Sequence, residues 1–465
     1  MTHQAILALP AGVPWVLAAV LAFLDGRKRW VGLLAAAGLV ASLAALFWLA
    51  VEVLQRGTVE TVAGGWPEGV GIALRADALG VTFAIVSVVV ILASLLYEVA
   101  LGVRWRAFPP LVLLVAAGLS GLFLTGDVFN FYVFFEISMT ASFVLAGYRE
   151  KDFQVRAAFI FAVVNLLGSV VFLIGIAALY SITGSLDMAV VAARTDTLEP
   201  SSVIVVSAVI FAAFCLKLGI FPFHFWLPAV YVGSHPPVAA ILSGALANIG
   251  GYGLLRFGGG IMPRELALGS VVVMILGTAS IVYGALQAVS RRDTSEVMAY
   301  SAIGQVGYVL LALGIGSPVG FTAAVLYSVV NSLNKGVVFL AAGLRGPLVG
   351  AAFAVGAFSI AGVPPAAGFL GKIAIFKAAI AEGSAVMVTA LVALVFVGSA
   401  LSFLYSFQVY QRRFLAQGDG EKAGPPAARL LVFALAVLLV LLGLWPEPLV
   451  FMSEAAAEAL LGGSR

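Results

Sequence analysis

The chain consists of long apolar runs separated by short polar segments. Hydrophobic residues make up 62% of its 465 positions and charged residues 10%, whereas soluble domains have roughly 45–50% and 25%. Each run is close to the ~20 residues that a helix needs to cross the hydrocarbon core of a bilayer. The runs are apolar on every face, unlike the alternating strands of a membrane barrel. This pattern predicts an all-α polytopic membrane protein.

Charged residues, glycines and prolines divide the chain into about fourteen predicted membrane spans. Residues 56–76, between the second and third spans, are polar and rich in glycine, which predicts a short hairpin outside the lipid. Residues 182–200 and 414–426 are expected to be flexible surface segments. The predicted spans are 5–24, 31–55, 77–99, 110–125, 128–148, 155–181, 202–223, 236–256, 266–290, 296–315, 318–343, 351–380 with a break, 386–411 and 427–443.

The distribution of Lys and Arg predicts how the chain is oriented. If the N-terminus is outside, fifteen Lys and Arg residues fall in inside loops and six, Arg256 among them, in outside positions. Membrane proteins carry an excess of basic residues in their cytoplasmic loops. No basic region precedes the first apolar run, so residues 5–24 are read as a retained helix. We therefore expect a multi-pass protein of the inner (cytoplasmic) membrane with both termini outside.

Two predicted spans contain helix breakers. Pro222 and Pro228 interrupt one span, and Pro364 and Pro365 interrupt another. Each proline removes a backbone donor from the helix. Broken helices occur at membrane depth only where they are buried in protein or line a wet cavity, and a pair of them is typical of internally repeated transporter folds.

Ionisable residues inside the spans are the candidate functional groups. A charge at the bilayer centre costs roughly 2.5–3.5 kcal/mol, so these residues are expected to face the bundle interior and to handle protons or ions. Glu136 is either a structural carboxylate bonded to a nearby hydroxyl or an acid that pairs with a buried lysine. The lysines are Lys217, Lys335, Lys372 and Lys377.

The sequence around each lysine distinguishes its expected role. Lys217 is followed by ten apolar positions in which His224 is the one ionisable residue, which argues against snorkelling to the headgroups. Lys335 has polar neighbours within one helical turn. Lys372 directly follows the double proline, whereas Lys377 lies about 140° further around the helix and is expected to snorkel.

The other polar residues are weaker candidates for a functional role. Asp127, in a TGD sequence at a span boundary, is expected to cap a helix. A single cysteine supplies too few thiols for an iron–sulfur cluster. The three histidines are too scattered in the sequence to suggest a metal site. We expect no cofactor, and the small net charge of +3 predicts no nucleic-acid partner.

Five motifs carry a resemblance to a known family. They are GDVFNFYVFFEI, LKLGIFPFHFWLP, RRDTSEVMAYSAIGQVGY, LYSVVNSLNKGVVFLAAG and AGVPPAAGFLGK. At these motifs the chain resembles the large subunits of Mrp-type multisubunit cation/proton antiporters, particularly their D subunits. It is also similar to the antiporter-like subunits of respiratory complex I and membrane-bound hydrogenases.

The resemblance implies a fold and a division of the chain. It implies fourteen helices with two inverted five-helix repeats, and with discontinuous helices 7 and 12. The implied parts are helices 1–3 with the hairpin, the first repeat, the second repeat, and helix 14 with a C-terminal tail, at residues 1–109, 110–256, 257–413 and 414–465.

The resemblance also implies a proton-handling axis. Glu136 and Lys217 would be its charge pair on helices 5 and 7, Lys335 its lysine on helix 11, and Lys372 its lysine on helix 12.

The chain departs from the family at two positions. Asn248 stands where the family often has a lysine, and Asn331 where many relatives have histidine. An asparagine holds hydrogen bonds but cannot titrate. The expected secondary polar axis comprises His224, Ser243, Asn248, Gln305 and Asn331, and the last four of these are expected to order a water wire.

Three functions remain open from the sequence. The first is a proton-translocating subunit of a Na⁺(K⁺)/H⁺ antiporter, which would work in the lipid bilayer with other membrane subunits. The second is a proton-pumping subunit of a complex I-like or hydrogenase-like enzyme. The chain has no nucleotide or cluster motif, so redox chemistry would lie in partner subunits. The third is a scaffold that has lost transport.

Overall fold

The computed structural model describes residues 3–66, 71–148, 151–415 and 424–462. Two short antiparallel strands, β1 (Val59–Val62) and β2 (Ala73–Ala76), form the expected hairpin. Helices make up nearly all of the rest. They are α1 (His3–Leu21), α2 (Arg29–Arg56), α3 (Ala78–Leu101), α4 (Phe108–Phe123), α5 (Val128–Ala146), α6 (Asp152–Thr183), α7 (Met188–Thr195), α8 (Pro200–Leu218), α9 (Leu227–Gly233), α10 (Pro236–Ile241), α11 (Asn248–Gly253), α12 (Pro263–Ser290), α13 (Thr294–Ile315), α14 (Pro318–Ala342), α15 (Pro347–Ala361), α16 (Gly368–Glu382), α17 (Ala385–Tyr410), α18 (Pro426–Leu444) and α19 (Glu447–Gly462).

The helices agree with the predicted membrane spans. Eleven helical segments of the described chain are long and apolar enough to cross a bilayer, and three shorter apolar helices lie at Ile6–Leu21, Phe108–Phe123 and Pro347–Ala361. Together these are the fourteen spans read from the sequence, which confirms the all-α polytopic class. The Asp127 side chain accepts a hydrogen bond from the Asn130 backbone N–H at 2.6 Å and caps α5, as predicted.

Both predicted helix breaks are present. In span 7, α8 ends at Leu218 with Gly219 as its C-cap, and a short 3₁₀ turn separates it from α9. In span 12, α15 ends at Ala361 with Gly362 as its C-cap, and α16 begins at Gly368. The φ angles of Gly219 and Gly362 are 65° and 79°, a left-handed conformation that commonly ends helices and that glycine adopts without a Cβ clash.

Span 8 is longer than predicted. It runs over Pro236–Ile261 as α10, a π-helical segment at Leu242–Leu246, α11, and a second π-helical segment at Leu254–Ile261. The sequence prediction ended this span at Arg256, because a charge usually marks the membrane boundary. Short π-helical segments are rare, and those that occur are often found at functional sites.

The sequence prediction that Arg256 lies outside the membrane is wrong. It is only 6% exposed and lies inside span 8, where its Nη1 and Nη2 atoms donate to the Asp77 carboxylate at 2.6 and 2.7 Å. Burial raises the pKa of Asp77, but the Arg256 and Arg75 guanidinium groups outweigh that effect and lower this pKa to about 2. This bidentate pairing is what makes a buried arginine tolerable.

One predicted surface segment and the predicted C-terminal tail contain helices. Residues 182–200 contain α7, whose first turn is capped by the Asp187 carboxylate through the Ala189 and Val190 backbone N–H groups. The predicted C-terminal tail contains α19, which packs against α3 and α14. Most of the predicted loop 414–426 lies outside the described residues.

The core of the bundle surrounds α14. In the apolar 18-residue segment of α14 100% of the residues are buried. In the corresponding segments of span 8 and α13 the buried share is 94% and 89%. Those of α12, α17 and α18 are 22% buried, so these helices form the outer layer. Polar groups on α14 therefore lie in the interior of the protein.

Candidate functional site

Lys217 lies in a buried pocket at the end of α8, just before the break in span 7. It is 5% exposed, and its Nζ donates to Asn165 Oδ1 at 2.9 Å and contacts Met139 Sδ. The same nitrogen lies 4.6 Å from the centre of the Phe135 ring, a cation–π distance. A cavity of ≈ 10 Å³ adjoins these side chains, about the space of one water molecule.

Glu136 lies beside this pocket but does not enter it. The side chain is half-buried, and within the described residues it makes no ion pair with Lys217, although the two attract each other electrostatically. Phe135 and Met139 lie on one face of α5, whereas Glu136 is rotated about 100° from Phe135. In this structure the two residues implied as a charge pair are electrostatic neighbours without an ion pair among the described residues, and their pairing stays a prediction.

Asn165 is a site residue that sequence reasoning missed. It is 1% exposed on α6, and its Nδ2 donates to the Phe161 carbonyl at 2.9 Å while its Oδ1 holds Lys217. The available signal was a lone amide in the apolar run FAVVNLLGS. A polar side chain isolated in a span usually has a partner on another helix.

Asn248 joins three helices at the centre of the bundle. Its Nδ2 donates to Ser87 Oγ of α3 at 3.1 Å, and its Oδ1 accepts from Ser332 Oγ of α14 at 2.8 Å. We call Asn248, Ser87 and Ser332 the central amide cluster. Ser243, another member of the predicted secondary axis, instead bonds the Ala239 carbonyl of its own helix at 2.7 Å.

Lys335 lies in the fully buried part of α14, three residues beyond Ser332. It is 5% exposed, and no hydrogen bond to its ammonium occurs among the residues that the structure describes. The side-chain oxygens of Asn331 and Asn334 are likewise buried without a protein donor in that part of the chain. Buried polar atoms of this kind are commonly satisfied by internal water. This surface of α14 is the polar face expected from its sequence.

Lys372 bridges the break in span 12. Although it lies on α16, its Nζ donates to the carbonyls of Ile360 and Ala361 at 2.9 Å each and to Ser399 Oγ at 2.8 Å. Those carbonyls end α15, where a helix leaves acceptors unpaired and carries partial negative charge. Lys377, by contrast, is exposed, as expected for a bystander.

Gln305 links α13 and α14 close to Lys372. The Tyr327 hydroxyl donates to Gln305 Oε1 at 2.6 Å, and Gln305 Nε2 lies 3.5 Å from the Tyr405 hydroxyl. The Tyr327 ring packs 5.3 Å from the Tyr308 ring, and Tyr308 lies under the Lys372 ammonium at 5.0 Å. These contacts connect one secondary-axis residue to the charge at the second break.

His224 lies in the break of span 7, apart from the buried lysines. It is half-buried, and its ring lies 4.3 Å from the Tyr283 ring and 5.5 Å from the Phe221 ring. The predicted residues thus form three groups, around Lys217, around the central amide cluster with Lys335, and around Lys372. Among the described residues, no hydrogen bond or ring contact links His224 or Ser243 to these groups.

Comparisons with known proteins agree with this architecture. The family model described as NADH:quinone oxidoreductase/Mrp antiporter, TM matches residues 125–398. The D subunit of the Na(+)/H(+) antiporter of Alkalihalophilus pseudofirmus is 31% identical, with 98% of this chain and 97% of that protein covered. The putative antiporter subunit mnhD2 of Staphylococcus haemolyticus is 30% identical over 90% of this chain and 87% of its own length.

Solved structures show the same relationship. A chain of the Mrp complex from Dietzia sp. DQ12-45-1b is 28% identical with a TM-score of 0.90, covering 99% of this chain and 98% of that one. A chain of the archaeal membrane-bound sulfane sulfur reductase is 26% identical with a TM-score of 0.88, covering 98% of each. The chain therefore belongs to the NADH:quinone oxidoreductase/Mrp antiporter family of membrane subunits.

Proposed function

We propose that this chain is a proton-translocating membrane subunit of a multisubunit Na⁺(K⁺)/H⁺ antiporter. The observation that carries the proposal is the placement of Lys217, Lys335 and Lys372, which are 5%, 5% and 4% exposed inside a membrane bundle. Intramembrane lysines are costly, and they commonly mark ion or proton pathways. Similarity to an antiporter D subunit over nearly the whole chain supports the choice of antiport.

The proposed mechanism moves protons along the buried charges. The protonation of a buried lysine depends on the charges near it, so a proton that arrives at one site changes the field at the next. Glu136 modulates Lys217 by Coulombic attraction, while Lys335 and Lys372 continue the axis. The central amide cluster adjoins Lys335, because its Ser332 lies three residues before that lysine on α14, and it orients hydrogen bonds without itself titrating.

The protein is proposed to work in the inner membrane with both termini outside. Other membrane subunits of the same antiporter are its proposed partners. In helices α12, α17 and α18 only 22% of the positions in the apolar segment are buried, and this outer layer suits contact with lipid or with those subunits.

Ion exchange in vesicles tests the proposal. The assembled complex is reconstituted, an outward or inward proton gradient is imposed, and the flux of Na⁺ or K⁺ is measured. We expect exchange by the wild type and loss of exchange in Lys217→Ala and Glu136→Ala. Undiminished exchange in both variants would overturn the proposed axis.

A second candidate function is a proton-pumping subunit of a redox complex. It is favoured by the similarity to a chain of the membrane-bound sulfane sulfur reductase, which covers 98% of this chain. Purification from the native membrane distinguishes the two. Small membrane subunits in the preparation favour the antiporter, whereas hydrophilic subunits with iron–sulfur clusters or flavin favour the redox complex.

A further inference from the structure

A second cluster of ionisable side chains lies where α3 ends and span 8 begins. Glu98 of α3 is 0% exposed, and its Oε1 accepts a hydrogen bond from the Tyr148 hydroxyl at 2.6 Å. Its Oε2 lies 3.3 Å from Nδ1 of His235, whose side chain is 12% exposed. The Tyr148 hydroxyl in turn accepts from the Arg104 backbone N–H at 3.1 Å. The cluster therefore connects the protein surface with an enclosed carboxylate.

A polar stripe on α3 leads from this cluster towards the centre of the bundle. Ser87, Ser94 and Glu98 are spaced by seven and four residues and so lie on one helix face. Both serines are 0% exposed, and Ser87 belongs to the central amide cluster. From Glu98 to Ser87 the stripe covers about 16 Å at 1.5 Å per residue.

Lys335 of α14 lies at a level along the bundle that the polar stripe of α3 also spans. A Cβ placed on Gly336 would lie 3.6 Å from Val90 of α3, and one placed on Gly343 would lie 2.3 Å from the Tyr97 hydroxyl. These close approaches align α14 with α3 and place Lys335 at the depth of Val90. That depth is about 12 Å along α3 from the buried carboxylate.

We propose that Glu98 and His235 form a proton-exchange site that connects the solution at this end of the bundle with Lys335 and the central amide cluster. The inference rests on the proposed function and extends its axis to helix α3, which the family resemblance placed outside both repeats. A solvent proton binds His235 Nε2, the Nδ1 proton passes to Glu98 Oε2, and the imidazole returns to its neutral form. The protonated Glu98 then releases that proton inwards along the polar stripe of α3. The same steps in reverse move a proton outwards.

The charges around the site favour rapid exchange with solution. The first turn of α2, which carries Arg29, packs against this end of α3, since a Cβ on Gly32 would lie 2.5 Å from Val99, and Arg104 follows α3 with its backbone bonded to Tyr148. Helices α14 and α18 also pack on α3 and carry Lys335, about 12 Å further in, and Arg429. Helix α4 carries no charged residue. Arg149 directly follows Tyr148 in the sequence and lies outside the described residues. Basic groups near a solvent-facing histidine limit the time that a proton remains bound.

The decisive variant is Glu98→Gln, which keeps the size of the side chain and an oxygen that accepts from Tyr148. In vesicles that contain the assembled complex, we expect its proton-coupled exchange to be slower by at least about tenfold. The matched control is Glu52→Gln on α2. Glu52 is 9% exposed and pairs with Arg56 at 2.8 Å, away from the stripe, so exchange is expected at the wild-type rate.

Two further measurements separate proton exchange from a structural role. Tyr148→Phe removes the hydroxyl but keeps both titratable groups, and it is expected to retain most of the exchange rate. If Tyr148→Phe is as slow as Glu98→Gln, the cluster only supports the structure and the proposal is overturned. Infrared titration of the purified complex should show a carboxyl band that changes with pH in the wild type and is missing in Glu98→Gln.

The outcomes also distinguish this inference from the proposed function. If Glu98→Gln exchanges at the wild-type rate while Lys217→Ala does not, the proton-exchange site is wrong and the antiporter function stands. If the wild type shows no exchange, the antiporter function fails, and the infrared titration still decides whether Glu98 takes up a proton. An unchanged carboxyl band in Glu98→Gln would overturn the site.

Discussion

Lys372→Met tests whether this lysine holds the two halves of span 12 together. Methionine has a similar length but no donor, so the substitution removes the bonds to Ile360, Ala361 and Ser399 while filling most of the space. The ends of α15 and α16 would then face each other with two unpaired carbonyls at the break.

The three hydrogen bonds, at 2.8–2.9 Å, set the expected size of the effect. Each contributes about 1 kcal/mol if the amine is neutral and about 1.5–3 kcal/mol if it is charged. Removing one partner of a buried charged group typically costs about 3–5 kcal/mol in total, less than the sum of its bonds, because the remaining groups partly find new partners. We expect local opening of the break to become easier by at least about 3 kcal/mol.

Hydrogen–deuterium exchange measures this opening directly. The amides in the last turn of α15 should exchange about a hundredfold faster in Lys372→Met. Ser399→Ala removes one of the three acceptors and should accelerate them about tenfold or less. Lys377→Met, five residues along the same helix and exposed, should leave them unchanged. Wild-type exchange rates in Lys372→Met would refute the bridging role.

Three other substitutions test separate parts of the account. Asn165→Leu removes the acceptor of Lys217 and should slow proton-coupled exchange by about tenfold or more, as measured in vesicles; a wild-type rate would show that this hydrogen bond is not needed. Asn248→Leu leaves two serine hydroxyls without their shared partner and should slow exchange, and unchanged transport would remove the amide from the pathway. Arg256→Leu removes the bidentate partner of the buried Asp77 carboxylate, which keeps only the longer Arg75 contact at 3.5 Å, and should lower the free energy of unfolding by about 3–5 kcal/mol. Because the pKa of Asp77 is lowered to about 2 from 3.8, its stabilisation is present above pH ~4 and is lost as pH falls towards 2. Thermal unfolding of wild type and Arg256→Leu from pH 5 to about pH 2 should therefore converge, and a constant difference would contradict this pairing.

Much of the fold could be predicted because a membrane span leaves a strong signal in one dimension. The length of the apolar runs predicts the fourteen spans, and the prolines predict both breaks. Both signals are local, because they do not depend on residues far away in the chain. Span 8 was ended too early at Arg256, because its charge is neutralised by Asp77, 179 residues earlier in the chain. Helix α7 was missed because eight residues are too few for a clear periodic signal.

The site was predicted less completely because its contacts join distant segments. The buried lysines were recognisable as charges in apolar runs. Their partners were not, because Asn165 lies on a different helix from Lys217, and the acceptors of Lys372 include backbone carbonyls that every sequence has. His235 and Glu98 meet only because α3 and span 8 pack side by side, and their spacing in the sequence carries no signal of that contact.

Lys335→Met is the most direct test of the central claim that buried lysines carry protons through this protein. Among the described residues no hydrogen bond holds the Lys335 ammonium, so its replacement removes a titratable group without breaking a known contact. The measurement is proton movement in vesicles with the assembled complex, followed with a pH-sensitive dye, for wild type, Lys335→Met and the exposed control Lys377→Met. The account predicts a loss of at least about tenfold in Lys335→Met and the wild-type rate in Lys377→Met. Equal rates in all three proteins would contradict it.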